Sequence, residues 1–242
     1  MKLSVVIPAF NEEKLLPDCL QSVAHAAAVF GKRGWEHEVI VCDNNSTDRT
    51  AEIAARYGAR VVFEEINQIG RARNAGASVA RGEWLLFVDA DSRVSWRLFE
   101  SLTEAIGSGC VVGGGACLLP SGEFSAAFWL PLMIWNRISR TLRWAAGSFL
   151  FCRRDLFGEL GGFSLERYAG EELDLSQRIK GRARDLGKGF VILDRGWLET
   201  SSRKVGLYSS RELMMTFFRC LISYRSTTGD RNSCFLWYDG RR

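Results

Sequence analysis

Several features are missing from this 242-residue chain, and each absence closes off a class of protein. No Cys-x-x-Cys pair occurs and the seven cysteines are odd in number, which argues against a zinc site or a disulfide framework and for reduced thiols. Cys42, Cys110, Cys117 and Cys152 sit in apolar stretches, where cysteine serves as a small hydrophobe. Gly-Lys-Ser/Thr is absent, and Gly113-Gly-Gly115 follows a strand pattern without opening a helix. P-loop enzymes and dinucleotide dehydrogenases are therefore disfavoured. The longest apolar run, Phe124 to Ile134, is too short to span a bilayer, is broken by Pro131, and leads to Arg137, Arg140 and Arg143. Met1-Lys2 enters a strand pattern at once, with no separate apolar region and cleavage site, so a cytoplasmic protein is expected. A net charge of +4 is too small to argue for a nucleic-acid partner. Neither an internal repeat nor a linker is visible, and one domain over 1–242 is expected.

What is present is an alternation. Leu3–Ile7 reads as a strand stopped at Pro8, and a helical pattern opens at Asn11-Glu-Glu13, with Pro17 tolerable near the start of its main part. Glu38–Cys42 is a second strand, followed by a helix through Arg56 that Ser46, Thr47 or Asp48 can cap. Ala59–Phe63 is a third strand and Gly70–Ala80 an alanine-rich helix. Trp84–Val88, five apolar residues without charge, has the composition of a strand buried on both faces. Four strands alternating with three helices predict an α/β fold with a mostly parallel, Rossmann-like sheet flanked by helices. Beyond it come helices over 95–106 and 170–186, extended segments at Cys110–Leu118, Gly147–Cys152 and Phe190–Leu193, a turn at Gly161-Gly-Phe163, and a final amphipathic helix over 209–225.

Acids and amides collect at three strand ends: Asn11 with Glu12, Asp43 with Asn44, and Asp89 with Asp91. Ligands of open α/β sheets bind beyond such ends. Asp89-Ala90-Asp91 can converge on one hard divalent cation, Mg²⁺ or Mn²⁺, or form a solvated acidic turn.

As a set and in this order, the motifs Val5-Val-Ile-Pro-Ala-Phe-Asn-Glu-Glu13, Asp43-Asn-Asn-Ser-Thr-Asp48, Gly70-Arg-Ala-Arg-Asn-Ala-Gly76, Asp89-Ala-Asp91, Gly161-Gly-Phe163 and Gly170-Glu-Glu-Leu-Asp-Leu175 resemble those of the family-2 glycosyltransferases with the GT-A fold. The resemblance covers residues 3 to about 203. It implies a nucleotide-sugar donor, UDP-linked, in residues 1–93, and an acceptor and catalytic half in 94–204, with 205–242 a basic, aromatic elaboration. By the same resemblance Pro8, Phe10 and Glu12 border the base, Asp43 contacts uracil or ribose, and Arg73 with Asn74 reaches the base or phosphate. Asp89 faces the ribose, Asp91 binds Mn²⁺ or Mg²⁺, and Glu172 stands where the family has an aspartate base. A base on the acceptor side implies single displacement with inversion. Without the resemblance, Glu171 and Glu172 read first as acids favoured by a helix dipole.

The chain departs from the family in a second respect. A histidine after the base helix, a further metal ligand in many members, is missing, since only His25 and His37 occur. Arg203 and Lys204 stand there instead, as diphosphate contacts or as a solvated basic turn. The acceptor is not legible. Phe128, Trp129, Trp135 and Trp144 beside Arg137, Arg140 and Arg143 fit peripheral contact with an anionic membrane at its inner face, and fit core or homodimer packing as well. Three rivals stand beside the main reading: a polyprenyl-phosphate sugar synthase needing no base, a sugar-1-phosphate nucleotidylyltransferase, and a non-catalytic nucleotide-sugar-binding module. The nucleotidylyltransferase is disfavoured because Ala9-Phe-Asn-Glu12 is not a glycine-rich loop.

Overall fold

The computed structural model describes residues 1–120, 126–145 and 147–200, with 229, 230 and 234. Its centre is Trp84–Val88 (β4), in which all five side chains are buried. Successive side chains of a strand point to opposite faces. Trp84, Leu86 and Val88 therefore join the core beneath Leu16–Lys32 (α1) and Trp96–Gly107 (α4). Leu85 and Phe87 join a second core beneath Ile69–Ser78 (α3), Arg154–Glu159 (α6) and Glu171–Asp185 (α7). Burial of each such leucine or phenylalanine contributes about 1.5–3 kcal/mol.

Lys2–Ala9 (β1) lies beside β4, then Glu36–Asp43 (β2) and Arg60–Phe63 (β3), all parallel. Thr50–Arg56 (α2) joins β2 to β3. On the other side of β4 come Phe149–Arg153 (β7), Val111–Pro120 (β6), Gly189–Thr200 (β8) and Ser92–Val94 (β5). β7 runs antiparallel to both of its neighbours, and β5 is antiparallel to β8. The order β3-β2-β1-β4 reverses direction between β1 and β4, the switch point at which open α/β sheets leave a crevice. Antiparallel pairing of β7 brings its N-terminal end, Gly147 and Ser148, to the C-terminal end of β4. Gly114 is required where β6 passes between β7 and β8, since a Cβ there would lie 2.3 Å from the Val191 carbonyl oxygen.

Some details differ from the sequence reading. β1 continues through Pro8, in register with Cys42, because its pairing with β4 has already ended at Val6. α1 begins only at Leu16, since Asn11 has φ +52°, a left-handed turn outside helical geometry. Cys42 and Cys152 are core residues, but Cys110 is exposed at the turn entering β6. Ala126–Leu142 is a helix, α5. The helix expected over 209–225 lies outside the described residues. Among the described residues, no helix is long and apolar enough to cross a membrane.

Candidate active site

A cleft of about 320 Å³ opens at the switch point, where the loops after β1 and β4 meet the N-terminus of α7. Pro8, Phe10 and Glu12 form one wall, Asp89 and Asp91 another, and Glu171 and Glu172 a third. The first two sets follow separate strands and the third opens a helix, and the sheet brings them to one place.

The loops are locked by their own polar side chains. Asn11 accepts from the Thr47 N–H at 2.7 Å, and its own N–H donates to Ser46 Oγ at 2.9 Å. Asp48 accepts from the N–H groups of Glu13 and Thr50, which ties the first loop to the start of α2. Asn44 receives the Gln68 N–H and donates to the carbonyls of Glu64 and Ile66. Gln68, at the N-cap of α3, reaches across to the carbonyls of Leu165 and Arg167, at 2.9 Å each. The loop between α6 and α7 is thus held from α3.

Asn74 takes part in the same clamp. Its amide donates to the Phe163 carbonyl and its oxygen accepts from the Phe163 N–H, both at 2.9 Å. It is not among the residues that line the cleft, and its amide is engaged in this clamp. Gly162, at φ +70°, is needed beside it, because a Cβ would stand 2.7 Å from Asn74 Oδ1. Asp43 also lies outside the cleft lining and accepts from the Ser46 N–H at 3.0 Å, as a turn-forming aspartate does. Arg203 lies outside the described residues.

Arg73 forms the floor. Its side chain is 2% exposed, and its guanidinium donates to Asp89 at 2.8 Å, to the Gly147 carbonyl at 3.1 Å, and to Glu171. Phe163 lies 5.2 Å beneath it. Burial opposes the charge, but Asp89 and Glu171 outweigh it and hold the guanidinium protonated. Gly147 leaves the necessary space: a Cβ there would be 3.0 Å from Arg73 Nη2 and 3.3 Å from the Glu172 carboxyl carbon. Arg73 Nε and Glu171 Oε2 are buried without a partner among the described residues.

The two adjacent glutamates differ. Glu171 turns inward to Arg73. Glu172 faces the cleft and has its pKa pushed up from 4.5 to about 8, first by burial and then by the Glu171 charge, with Arg73 opposing. The start of α7, capped by Gly170 at φ +72°, therefore carries one carboxylate paired with Arg73 and one that faces the cleft.

The described residues contain no cluster of three or more potential metal ligands. Asp91 lines the cleft two residues beyond Asp89, whose carboxylate pairs with Arg73. That fits Mg²⁺ or Mn²⁺ held mainly by ligand phosphates and water, the habit of such ions beside diphosphates. His25 and His37 are exposed and away from the cleft. Asn67, Ser148 and Tyr168 also line it and carried no sequence signal, since each acts through loop position.

The family model "Glycosyl transferase family 2" matches residues 4–160, and the chain belongs to that family. It is 31% identical over 107 residues to the uncharacterized glycosyltransferase EpsJ of Bacillus subtilis, covering 42% of this chain and 29% of that one. The chain spans less than a third of the length of the first curated relatives it matches. A crystal structure of S. aureus TarS 1–349 in complex with UDP-GlcNAc superposes with a TM-score of 0.64 at 23% identity, covering 98% of this chain and 69% of that one. Glucosyl-3-phosphoglycerate synthase from Mycobacterium tuberculosis, crystallised with Mn²⁺, UDP and glucosyl-3-phosphoglycerate, gives a TM-score of 0.61 at 20% identity over 95% of this chain and 81% of that one. Both show the GT-A fold.

Proposed function

We propose that the chain is an inverting glycosyltransferase that moves a sugar from a UDP-linked donor to a hydroxyl acceptor. The observation that carries this reading is the Arg73 bridge. One guanidinium holds both Asp89, two residues before Asp91, and Glu171, the residue before Glu172. Donor-side and acceptor-side carboxylates are thereby fixed to one buried charge. Such fixing supplies the orientation that transfer between two bound substrates needs.

In the proposed reaction, the acceptor oxygen attacks the anomeric carbon and its proton passes to the Glu172 carboxylate. The bond to the diphosphate oxygen breaks, and its electron pair leaves with UDP. Asp91 would hold Mg²⁺ or Mn²⁺, whose chemistry when bound is to neutralise charge on the diphosphate. Pro8, Phe10 and Glu12 border the base, and Asp89 faces the ribose. Asp43 acts from behind by shaping the loop. The UDP-GlcNAc and UDP crystallised with TarS and with glucosyl-3-phosphoglycerate synthase support uracil as the base.

The test is thermal stabilisation of the chain by UDP, with and without Mn²⁺. Wild type should gain stability from UDP and gain more with Mn²⁺. Asp91→Asn should keep its fold and the metal-free gain, and should lose the Mn²⁺ increment. An Asp91→Asn protein that keeps that increment would remove Asp91 from the metal's ligands.

A further inference from the structure

Helix α5 exposes several large apolar side chains that a helix surrounded only by water would bury. Its inward face is polar at two positions. Asn136 accepts from the Leu118 N–H at 3.0 Å and donates to the Leu118 carbonyl at 2.8 Å, and buried Ser139 donates to the Trp144 carbonyl at 2.6 Å. These bonds orient the helix. Met133, Ile134, Ile138 and Leu142 then face outward, and Met133 and Ile134 are 62% and 50% exposed. Ile134, Ile138 and Leu142 recur every four residues, so they make one continuous stripe.

Leu142 also belongs to a second feature. It borders a shallow hollow that Arg143, Lys180, Arg184 and Lys188 surround, and none of the described residues lining the hollow is acidic. Lys180 donates to the Leu142 carbonyl, joining the basic cluster to the end of the helix. Partial burial and repulsion from Arg184 and Arg143 pull the Lys180 pKa below its ordinary value, as expected where positive charges crowd without counter-ions. Elsewhere on these elements Arg140 pairs with Asp194, Arg178 with Asp174 and Arg182 with Glu159.

From the apolar stripe and the unneutralised basic hollow that adjoins it, we infer that this face seats on an anionic lipid bilayer, with Ile134, Ile138 and Leu142 entering the headgroup boundary and Arg143, Lys180, Arg184 and Lys188 meeting lipid phosphates. An apolar stripe flanked by basic side chains is the pattern of interfacial helices. Charge decides between a bilayer and a second copy of the chain. Two identical faces of four cations each would repel if brought together, whereas an anionic surface attracts both at once. The inference does not depend on the donor chemistry. It does bear on the acceptor, because Asn136 ties α5 to Leu118, a wall of the cleft.

The experiment is flotation of the full chain with vesicles of phosphatidylcholine alone or with about 30% phosphatidylglycerol, at about 50 mM and about 500 mM salt, which bracket weak and strong screening. Binding is expected only to the anionic vesicles and should fall at high salt. Arg143→Glu/Arg184→Glu should weaken it by well over tenfold, since each basic charge near the surface is worth about fivefold in partitioning. Ile134→Ser/Ile138→Ser should weaken it even at low salt while leaving UDP stabilisation unchanged. Absence of wild-type binding, or binding indifferent to both double variants, overturns the inference. A dimer in sedimentation that Ile134→Ser/Ile138→Ser dissociates, without vesicle binding, assigns the face to a second copy instead.

Discussion

The Arg73 guanidinium lies 2.8 Å from the Asp89 carboxylate, at the floor of the cleft. Its position makes Arg73 first a support for the site. Removing one partner of a buried ion pair leaves an uncompensated charge, so Arg73→Met should cost about 3–5 kcal/mol of stability. A urea melt reads this as a lower midpoint. The double variant Arg73→Met/Glu171→Leu should recover part of the loss, because both charges leave together. A single variant as stable as wild type would show that the bridge contributes nothing to the fold.

Asn74 and Phe163 exchange two hydrogen bonds over 89 residues of chain. Asn74→Leu should destabilise the protein by about 1–3 kcal/mol per buried backbone group left unsatisfied at Phe163. Protease cleavage within 160–170 should quicken with it. A nucleotide contact would behave in the opposite way, with UDP affinity falling while stability held. That outcome would return Asn74 to the donor site.

Glu172→Gln should lower turnover on a hydroxyl acceptor by about 10²–10⁴-fold, the usual share of a general base, with donor affinity little changed. Wild-type rate should climb as pH rises through about 8, since only the ionised carboxylate accepts a proton. The stability effect has the reverse sign. The folded pKa lies above the ordinary 4.5, so the folded protein holds the proton more tightly than the unfolded chain. Stability is then lost between about pH 4.5 and pH 8 as Glu172 ionises. Gln has no charge to lose, so the variant should melt progressively higher than wild type across that window. Equal melting temperatures at both ends would show that Glu172 is not forced into an unfavourable environment.

The sequence by itself determined the parts of this protein that depend on local pattern. An uninterrupted apolar run placed β4 residue for residue, since only a strand buried on both faces tolerates five such side chains. Asp89-Ala-Asp91 was legible because polar residues follow at once where apolar periodicity stops, whereas Glu171-Glu172 stood out only through the family resemblance. Short elements were not legible. Three residues of β5 and six of α6 carry too little periodicity to separate from turns.

Only the tertiary structure decided what Arg73, Asn74 and the two glutamates do. Arg73 reads in sequence as one more polar residue of an alanine-rich helix, and so does Asn74. Their partners, Glu171 and Phe163, stand 98 and 89 residues further on. Antiparallel insertion of β7 decided the rest, by carrying Gly147 to the end of β4 and leaving room there for a guanidinium and a carboxylate. The division between Glu171 and Glu172 has the same origin. Adjacent residues on a helix point about 100° apart, so once Arg73 is buried on one side, a single glutamate can reach it and the other is left in the cleft.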